Sequence, residues 1–163
     1  MFFKKDTNSN GFALVEVMIA CALVATVTIT LLSFAQKGLG LSSRSLRQVQ
    51  ATLLLEEGAE AVKTIRDASW SNISGLTLNT NYYLSYNNTS NVWSLSTTAS
   101  NIDGIFTRTV VFSSVERDSN DDIVTTGGTT DTGMKKVTIT TTWLSTEGLT
   151  SRVLTFYIAD MFS

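Results

Sequence analysis

The chain has 163 residues, of which 43% are hydrophobic and 16% are charged, and its formal net charge at pH 7 is −2. The lack of histidine excludes histidine acid–base chemistry and histidine metal ligation, and the single cysteine excludes an intramolecular disulfide and a thiolate zinc cage. The slightly acidic balance leaves no electrostatic footprint for nucleic acid, so the composition disfavours nucleic acid as a partner.

The first predicted segment is a short polar leader, residues 1–11, which carries Lys4 and Lys5. Basic residues that precede an apolar helix hold that end of the chain in the cytoplasm, so both lysines are interpreted as topology anchors. The alternative is that they are ordinary solvated charges. Lys37 and Arg44, on the other side of the apolar segment, weaken this charge rule without reversing it.

The second predicted segment is an apolar helix over residues 12–35. It is interrupted only by the carboxylate of Glu16 and by a few hydroxyl side chains. An α-helix of this length measures about 36 Å, which is enough to cross a hydrocarbon core of about 30 Å. The sequence therefore predicts a single membrane-spanning helix.

Residues 36–69 are predicted to continue the same helix in an amphipathic form. Apolar or small residues recur three and four positions apart, which is typical of a helix that packs on a domain. The members of this stripe are Leu55, Ala59, Val62, Ile65 and Ser69. The spacing also predicts surface ion pairs of Lys63 with Glu60 and with Asp67.

Residues 70–163 are predicted to form a β-rich head with an antiparallel sheet of about four strands. The strongest strand candidates are 107–115, 137–143 and 152–158, and two weaker ones are 81–88 and 92–96. A long polar link is predicted at 118–133, and a tight hairpin turn at 145–148. The expected fold class is α+β, with one long N-terminal helix whose second half packs on a small antiparallel sheet.

Within the polar link, Asp118, Asn120 and Asp122 alternate as the ligands of a calcium loop do. The positions that such a loop assigns to glycine and to the last glutamate hold Ile123 and Thr129 instead. A solvated hairpin loop is therefore the favoured interpretation, these three residues are only weak metal candidates, and no cofactor is predicted.

Two further sets of side chains in the head have structural interpretations. Trp70 is expected to pack the end of the helix against the head, and Trp143 to lie in the core of the sheet, in preference to surface adhesion. Lys135 and Lys136 are the local charges that nucleic-acid binding would have to use, and they are equally well explained as charges that protect an edge strand from unwanted pairing.

The residues GFALVEVMIA, after the basic leader, closely resemble the N-terminal signal of type IV pilins and type II secretion pseudopilins. The resemblance covers roughly residues 1–36 and depends on Gly11, Phe12 and Glu16. It implies a pilin-like fold and a prepilin peptidase that cuts after Gly11 and methylates the new amine of Phe12. It also implies three further partners: other pilin or pseudopilin subunits, the inner membrane and an assembly platform.

Glu16 has a physical role that fits this resemblance. An ionised group at membrane depth costs about 2.5–3.5 kcal/mol, so it needs a partner. The methylated amine of Phe12 on a neighbouring subunit is the natural partner, and pairing would set the register between helices. The alternative is a carboxylate that reaches back to the cytoplasmic face of the membrane.

The sequence departs from the pattern of major pilins in two ways. Ser33 stands where many of them have a helix-breaking proline, and a single cysteine cannot close the head with a disulfide. Both departures favour a minor subunit or a pseudopilin.

The residues MIAC, which end at Cys21, loosely resemble a lipoprotein cleavage box. The sequence after Cys21 stays apolar, however, and this favours a buried helix cysteine.

These observations predict a structural subunit of a type IV pilus-like or type II secretion-like filament. The precursor is expected to span the inner membrane once with its N-terminus inside, and the assembled filament to lie in the periplasm or outside the cell. No G-x-S-x-G or P-loop motif occurs in the sequence, so no enzymatic activity is predicted. The rival is a membrane-anchored extracellular binding or adhesion domain that never polymerises.

Overall fold

The structure is a computed structural model that describes residues 9–146 and 148–161. Lys4 and Lys5, with the first part of the predicted leader, lie outside the described residues. The chain divides into two compact units, Met1–Ser45 and Leu46–Ser163. The described part of the first unit is helical, and the second unit, called the head below, contains the end of that helix and every strand.

Two helices and seven strands make up the described chain. In chain order they are α1 (Ser9–Ala68), α2 (Ser71–Ser74), β1 (Tyr83–Asn87), β2 (Val92–Ser96), β3 (Asn101–Ile102), β4 (Phe106–Arg117), β5 (Ile123–Val124), β6 (Thr129–Ser145) and β7 (Gly148–Ala159). All pairings are antiparallel. The predicted α+β class, with a long N-terminal helix and antiparallel sheets, is confirmed.

The main sheet has five strands, one more than expected, in the order β3–β4–β6–β7 with β5 paired to the end of β4. The predicted polar link at 118–133 is wrong beyond residue 122, because the rest of that stretch contains β5 and the start of β6. The cause is a β-bulge between Ser114 and Val115, after which β4 pairs with both segments. The strands β1 and β2 form a separate hairpin.

The helical part of the head packs on the inner face of the main sheet. Four members of the predicted stripe, Leu55, Ala59, Val62 and Ile65, are buried against sheet residues such as Phe112. The fifth, Ser69, is exposed because α1 ends one residue before it. Small residues bring the helix close to the sheet. A Cβ at Gly58 would lie 3.1 Å from the Cδ of Arg108 and 3.3 Å from the Cδ1 of Ile139.

Both tryptophan predictions are confirmed. Trp70 is half-buried against the main core cluster, next to the end of α1. Trp143 is 3% exposed and forms a second cluster with Ala51 and Phe106, whose ring centroid lies 5.9 Å away. The helix is therefore held to the sheet at both ends of the head.

The surface charges agree with the predictions only in part. Lys63 Nζ lies 2.7 Å from the Oε1 of Glu60, as predicted, but the carboxylate of Asp67 pairs with its neighbour Arg66 instead.

The predicted edge-strand role of Lys135 and Lys136 is wrong. Strand β6 lies between β4 and β7, and Lys135 is buried, because the long β7 pairs with β6 along its C-terminal part and takes the edge position.

Candidate functional site

The first candidate site is the apolar surface of α1 over residues 12–35. Among the described residues, α1 is the helix long and apolar enough to cross a membrane by length and composition. No side chain in this range is buried, and Phe12 and Phe34 are 84% and 78% exposed. An aliphatic surface of this extent is unfavourable in water, so it needs lipid or another apolar surface to cover it.

The hydroxyl side chains in this range do not make the surface polar. Thr26, Thr28, Thr30 and Ser33 each donate a hydrogen bond to a backbone carbonyl one turn earlier, over distances of 2.7–3.1 Å. Each hydroxyl proton is therefore satisfied within the helix. In a medium without water this removes most of the cost of a buried hydroxyl.

Glu16 is the exception on this surface. Its side chain is exposed, and within the described part of the chain its carboxylate has no hydrogen-bond or ion-pair partner. It lies one helical turn after Phe12, so the two side chains share a face of α1. Because an isolated carboxylate is costly on an otherwise apolar helix in lipid, a positively charged partner would stabilise it there.

The bond between Gly11 and Phe12 lies in the first turn of α1, which begins at Ser9. The first four N–H groups of a helix have no intrahelical acceptor. Glycine also weakens a helix by about 1 kcal/mol relative to alanine. Opening this turn into the extended backbone that a protease needs therefore breaks few hydrogen bonds.

Cys21 is exposed on the same apolar helix. The burial expected of this cysteine depends on lipid or on another copy of the helix, so it stays a prediction.

The second candidate site is the polar loop after β4. The Oδ1 of Asp118 accepts hydrogen bonds from the backbone N–H groups of Asn120 (2.9 Å) and Asp122 (3.0 Å), so it shapes the turn. The side chains of Asn120 and Asp122 are exposed to solvent. The described residues contain no group of three or more carboxylate or thiol side chains arranged to hold a metal ion.

A cation already occupies the centre of this loop. The guanidinium of Arg117 donates from Nε to the Oδ2 of Asp131 (2.7 Å) and from Nη1 to the carbonyl of Asp121 (2.6 Å). Arg117 thus takes the place that a metal ion would need. The geometry favours the hairpin-loop interpretation of Asp118, Asn120 and Asp122 over a calcium site.

The Arg117–Asp131 pair makes the loop sensitive to acid. The hydrogen bond from Arg117 holds the pKa of the Asp131 carboxyl below its usual value, and the same bond raises the pKa of the guanidinium. A carboxyl with a lowered folded-state pKa stabilises the fold above its unfolded pKa of about 4, and the effect disappears as pH falls through the folded-state value.

We therefore expect Arg117→Met to lower the unfolding temperature at pH 7, and the difference from the parent to narrow steadily below about pH 4. Thermal unfolding of the full chain in detergent, measured at a series of pH values, tests this. Arg152→Met, which removes a cation from the edge strand β7, is the matched control. A constant difference at every pH would show that Arg117 acts through packing alone.

The sequence analysis missed one buried charge, Arg108 on β4. It is 4% exposed, and its Nη1 donates to the backbone carbonyl of Leu54 (2.8 Å) and to the Oε2 of Glu57 (3.0 Å). The ring centroid of Trp93 lies 5.8 Å from its Cζ. The period-two pattern of this strand could have revealed the burial of Arg108, since Arg108 shares the inward face of β4 with Phe106 and Val110.

Comparison with known protein families identifies a match to the prokaryotic N-terminal methylation motif over residues 6–32. The matched range contains Gly11, Phe12, Glu16 and Cys21. No curated protein and no solved structure matches the chain. The resemblance to a type IV pilin-like prepilin signal is thereby confirmed, and it coincides with the apolar, exposed part of α1.

Proposed function

We propose that this chain, which carries a type IV pilin-like prepilin signal, is a minor pilin or pseudopilin of a type IV pilus-like or type II secretion-like filament. The observation that carries the proposal is the coincidence of the methylation motif with a helix that exposes its whole apolar surface. A helix of this kind needs lipid before assembly and other helices after it. The motif points to a structural subunit rather than to an enzyme.

The proposed mechanism begins with a single-pass precursor in the inner membrane, with Lys4 and Lys5 on the cytoplasmic side. A prepilin peptidase cuts the bond after Gly11, in the weakly held first turn of α1, and methylates the amine of Phe12. The mature subunit then leaves the bilayer and enters a helical stack of subunits through the assembly platform. The heads face outward, in the periplasm or outside the cell.

In this mechanism, Glu16 and the amine of Phe12 each offset the desolvation cost of the other's charge. Each is a charge on an apolar helix, and within one chain both lie on the same face one turn apart, so each is available to a neighbouring subunit. Pairing the carboxylate of one subunit with the methylated amine of the next offsets both penalties. The same contact fixes the axial offset between adjacent helices.

The processing step has a direct test. We expect the protein purified from membranes to begin at methylated Phe12 when a prepilin peptidase is co-expressed, and at Met1 when it is not. Intact mass and N-terminal sequencing distinguish the two forms. A chain that begins at Met1 in both samples would contradict the proposal, and a chain that begins at a lipidated Cys21 would identify a lipoprotein.

The second candidate function is a membrane-anchored extracellular binding domain that does not polymerise. The observation in its favour is that the head has its own hydrophobic core, built from the sheet and from the part of α1 beyond Leu46. Such a domain would use residues 12–35 only as an anchor. It would be indifferent to the loss of the Glu16 carboxylate, whereas a filament subunit would not.

A further inference from the structure

One end of the main sheet carries three exposed aliphatic side chains, Ile105, Leu144 and Leu149, which we call the loop-end patch. Their exposed fractions are 48%, 70% and 78%. Leu144 and Leu149 are directly opposite each other across β6 and β7. Ile105 precedes Phe106, the residue at which β4 begins to pair with β6. Adjacent exposed leucines in a hairpin connection are unfavourable in water and indicate an apolar contact.

The loop-end patch lies next to the start of the helical part of the head. The Nη1 of Arg47 donates a 2.9 Å hydrogen bond to the carbonyl of Leu144, next to the patch. One turn later, Ala51 packs against Phe106 and Trp143 in the same region of the sheet. The first turns of the head helix and the loop-end patch are therefore neighbours.

The segment that lies in the sequence between the apolar helix and the head is basic as well as apolar. Leu39 and Leu41 are 74% and 69% exposed, and the basic residues in and beside the segment are Lys37, Arg44 and Arg47. No aspartate or glutamate occurs between Glu16 and Glu56. Basic side chains interleaved with leucines, directly after a membrane span, are typical of a chain at the lipid headgroup level.

We propose that in the precursor the loop-end patch inserts into the headgroup region of the bilayer, so that the head docks on the membrane surface. The proposal rests on the membrane insertion that the proposed function requires. The acidic residues nearest the patch in the sequence are Asp103 and Glu147, and neither attracts anionic lipid headgroups. We therefore assign the contact with the bilayer to the leucines, and the attraction to anionic headgroups to the basic segment.

The test uses the full-length precursor with Cys21→Ser and one new cysteine at a time, each labelled with the environment-sensitive fluorophore NBD. The chain is placed as a single copy in lipid nanodiscs of phosphatidylethanolamine and phosphatidylglycerol. Leu149→Cys reports on the patch, and Asn88→Cys, in the exposed turn after β1, is the matched control on the head. Val24→Cys, on the apolar helix, reports on insertion of the anchor.

For the Leu149→Cys label we expect quenching by shallow doxyl lipids about threefold stronger than for the Asn88→Cys label, together with protection from aqueous iodide. If the Val24→Cys label is quenched by lipid but the Leu149→Cys and Asn88→Cys labels are equally accessible to iodide, the docking proposal is overturned while membrane insertion stands. Protection of the Leu149→Cys label only when several copies share a disc would also overturn it, and would assign the patch to a second copy of the chain. A Val24→Cys label that remains in water would overturn membrane insertion, and the docking proposal with it.

Discussion

Replacing Glu16 with alanine is expected to remove the subunit from the filament while leaving it in the membrane. In the proposed filament, the variant leaves the methylated amine of Phe12 on the neighbouring subunit without its partner inside an apolar stack. An unpaired charge in such a place costs about 2.5–3.5 kcal/mol, and each 1.4 kcal/mol is a factor of ten, so incorporation should fall at least about 50-fold. The apolar surface of residues 12–35 is unchanged, so membrane insertion should persist.

The measurement is the fraction of mature chain in sheared filaments relative to the membrane fraction, in cells that contain the prepilin peptidase and the assembly platform. Glu16→Gln, which keeps a polar side chain but loses the charge, should also assemble poorly. Glu56→Ala removes an exposed carboxylate from the head part of α1 and should assemble normally. Equal incorporation of Glu16→Ala and the parent would favour the anchored binding domain instead.

Replacing Arg108 with alanine is expected to destabilise the head by about 2–3 kcal/mol, because hydrogen bonds to charged groups contribute about 1.5–3 kcal/mol. The guanidinium connects β4 to the carbonyl of Leu54 and to the carboxylate of Glu57, and it lies over Trp93. Two features limit the loss. Glu57 is half exposed and can rehydrate, and the buried Nε of Arg108 already lacks a partner among the described residues.

Chemical denaturation of the full chain in detergent, followed by tryptophan fluorescence, measures this change, since all three tryptophans lie in the head. Arg152→Ala is the matched control, because its guanidinium is exposed and makes a 3.3 Å hydrogen bond to Gln48. We expect that control to change stability by no more than about 0.5 kcal/mol. Arg108→Met should recover part of the loss through packing alone. If Arg108→Ala were as stable as the control, the conclusion that Arg108 stabilises the contact between β4 and α1 would be refuted.

The candidate processing segment could be predicted from the sequence because each of its features is local. Gly11, Phe12 and Glu16 form a short motif, and the apolar run after them reveals a helix without reference to any other part of the chain. The stripe of Leu55, Ala59, Val62 and Ile65 was also predictable, since it depends only on the 3.6-residue period. Ser69 was not, because the position of a helix end also depends on the residues beyond it.

The head was less predictable where long-range pairing decides the outcome. Alternation along 107–115, 137–143 and 152–158 indicated three strands correctly. It could not indicate β5, or the early start of β6 at Thr129, because both depend on the bulge after Ser114. It also could not show which strand is the edge, so Lys135 was assigned to an edge although it lies in a central strand.

The sequence by itself determined the prepilin-type signal, the apolar helix that carries it and the α+β class, because these depend on motif, composition and hydrophobic period over neighbouring residues. The tertiary structure alone decided the strand order, the burial of Arg108 against Leu54 and Glu57, and the use of Arg117 as the cation of the polar loop. It also brought the loop-end patch beside Arg47. These features join residues far apart in the chain, and their energies depend on burial and distance, which exist only once the head has folded.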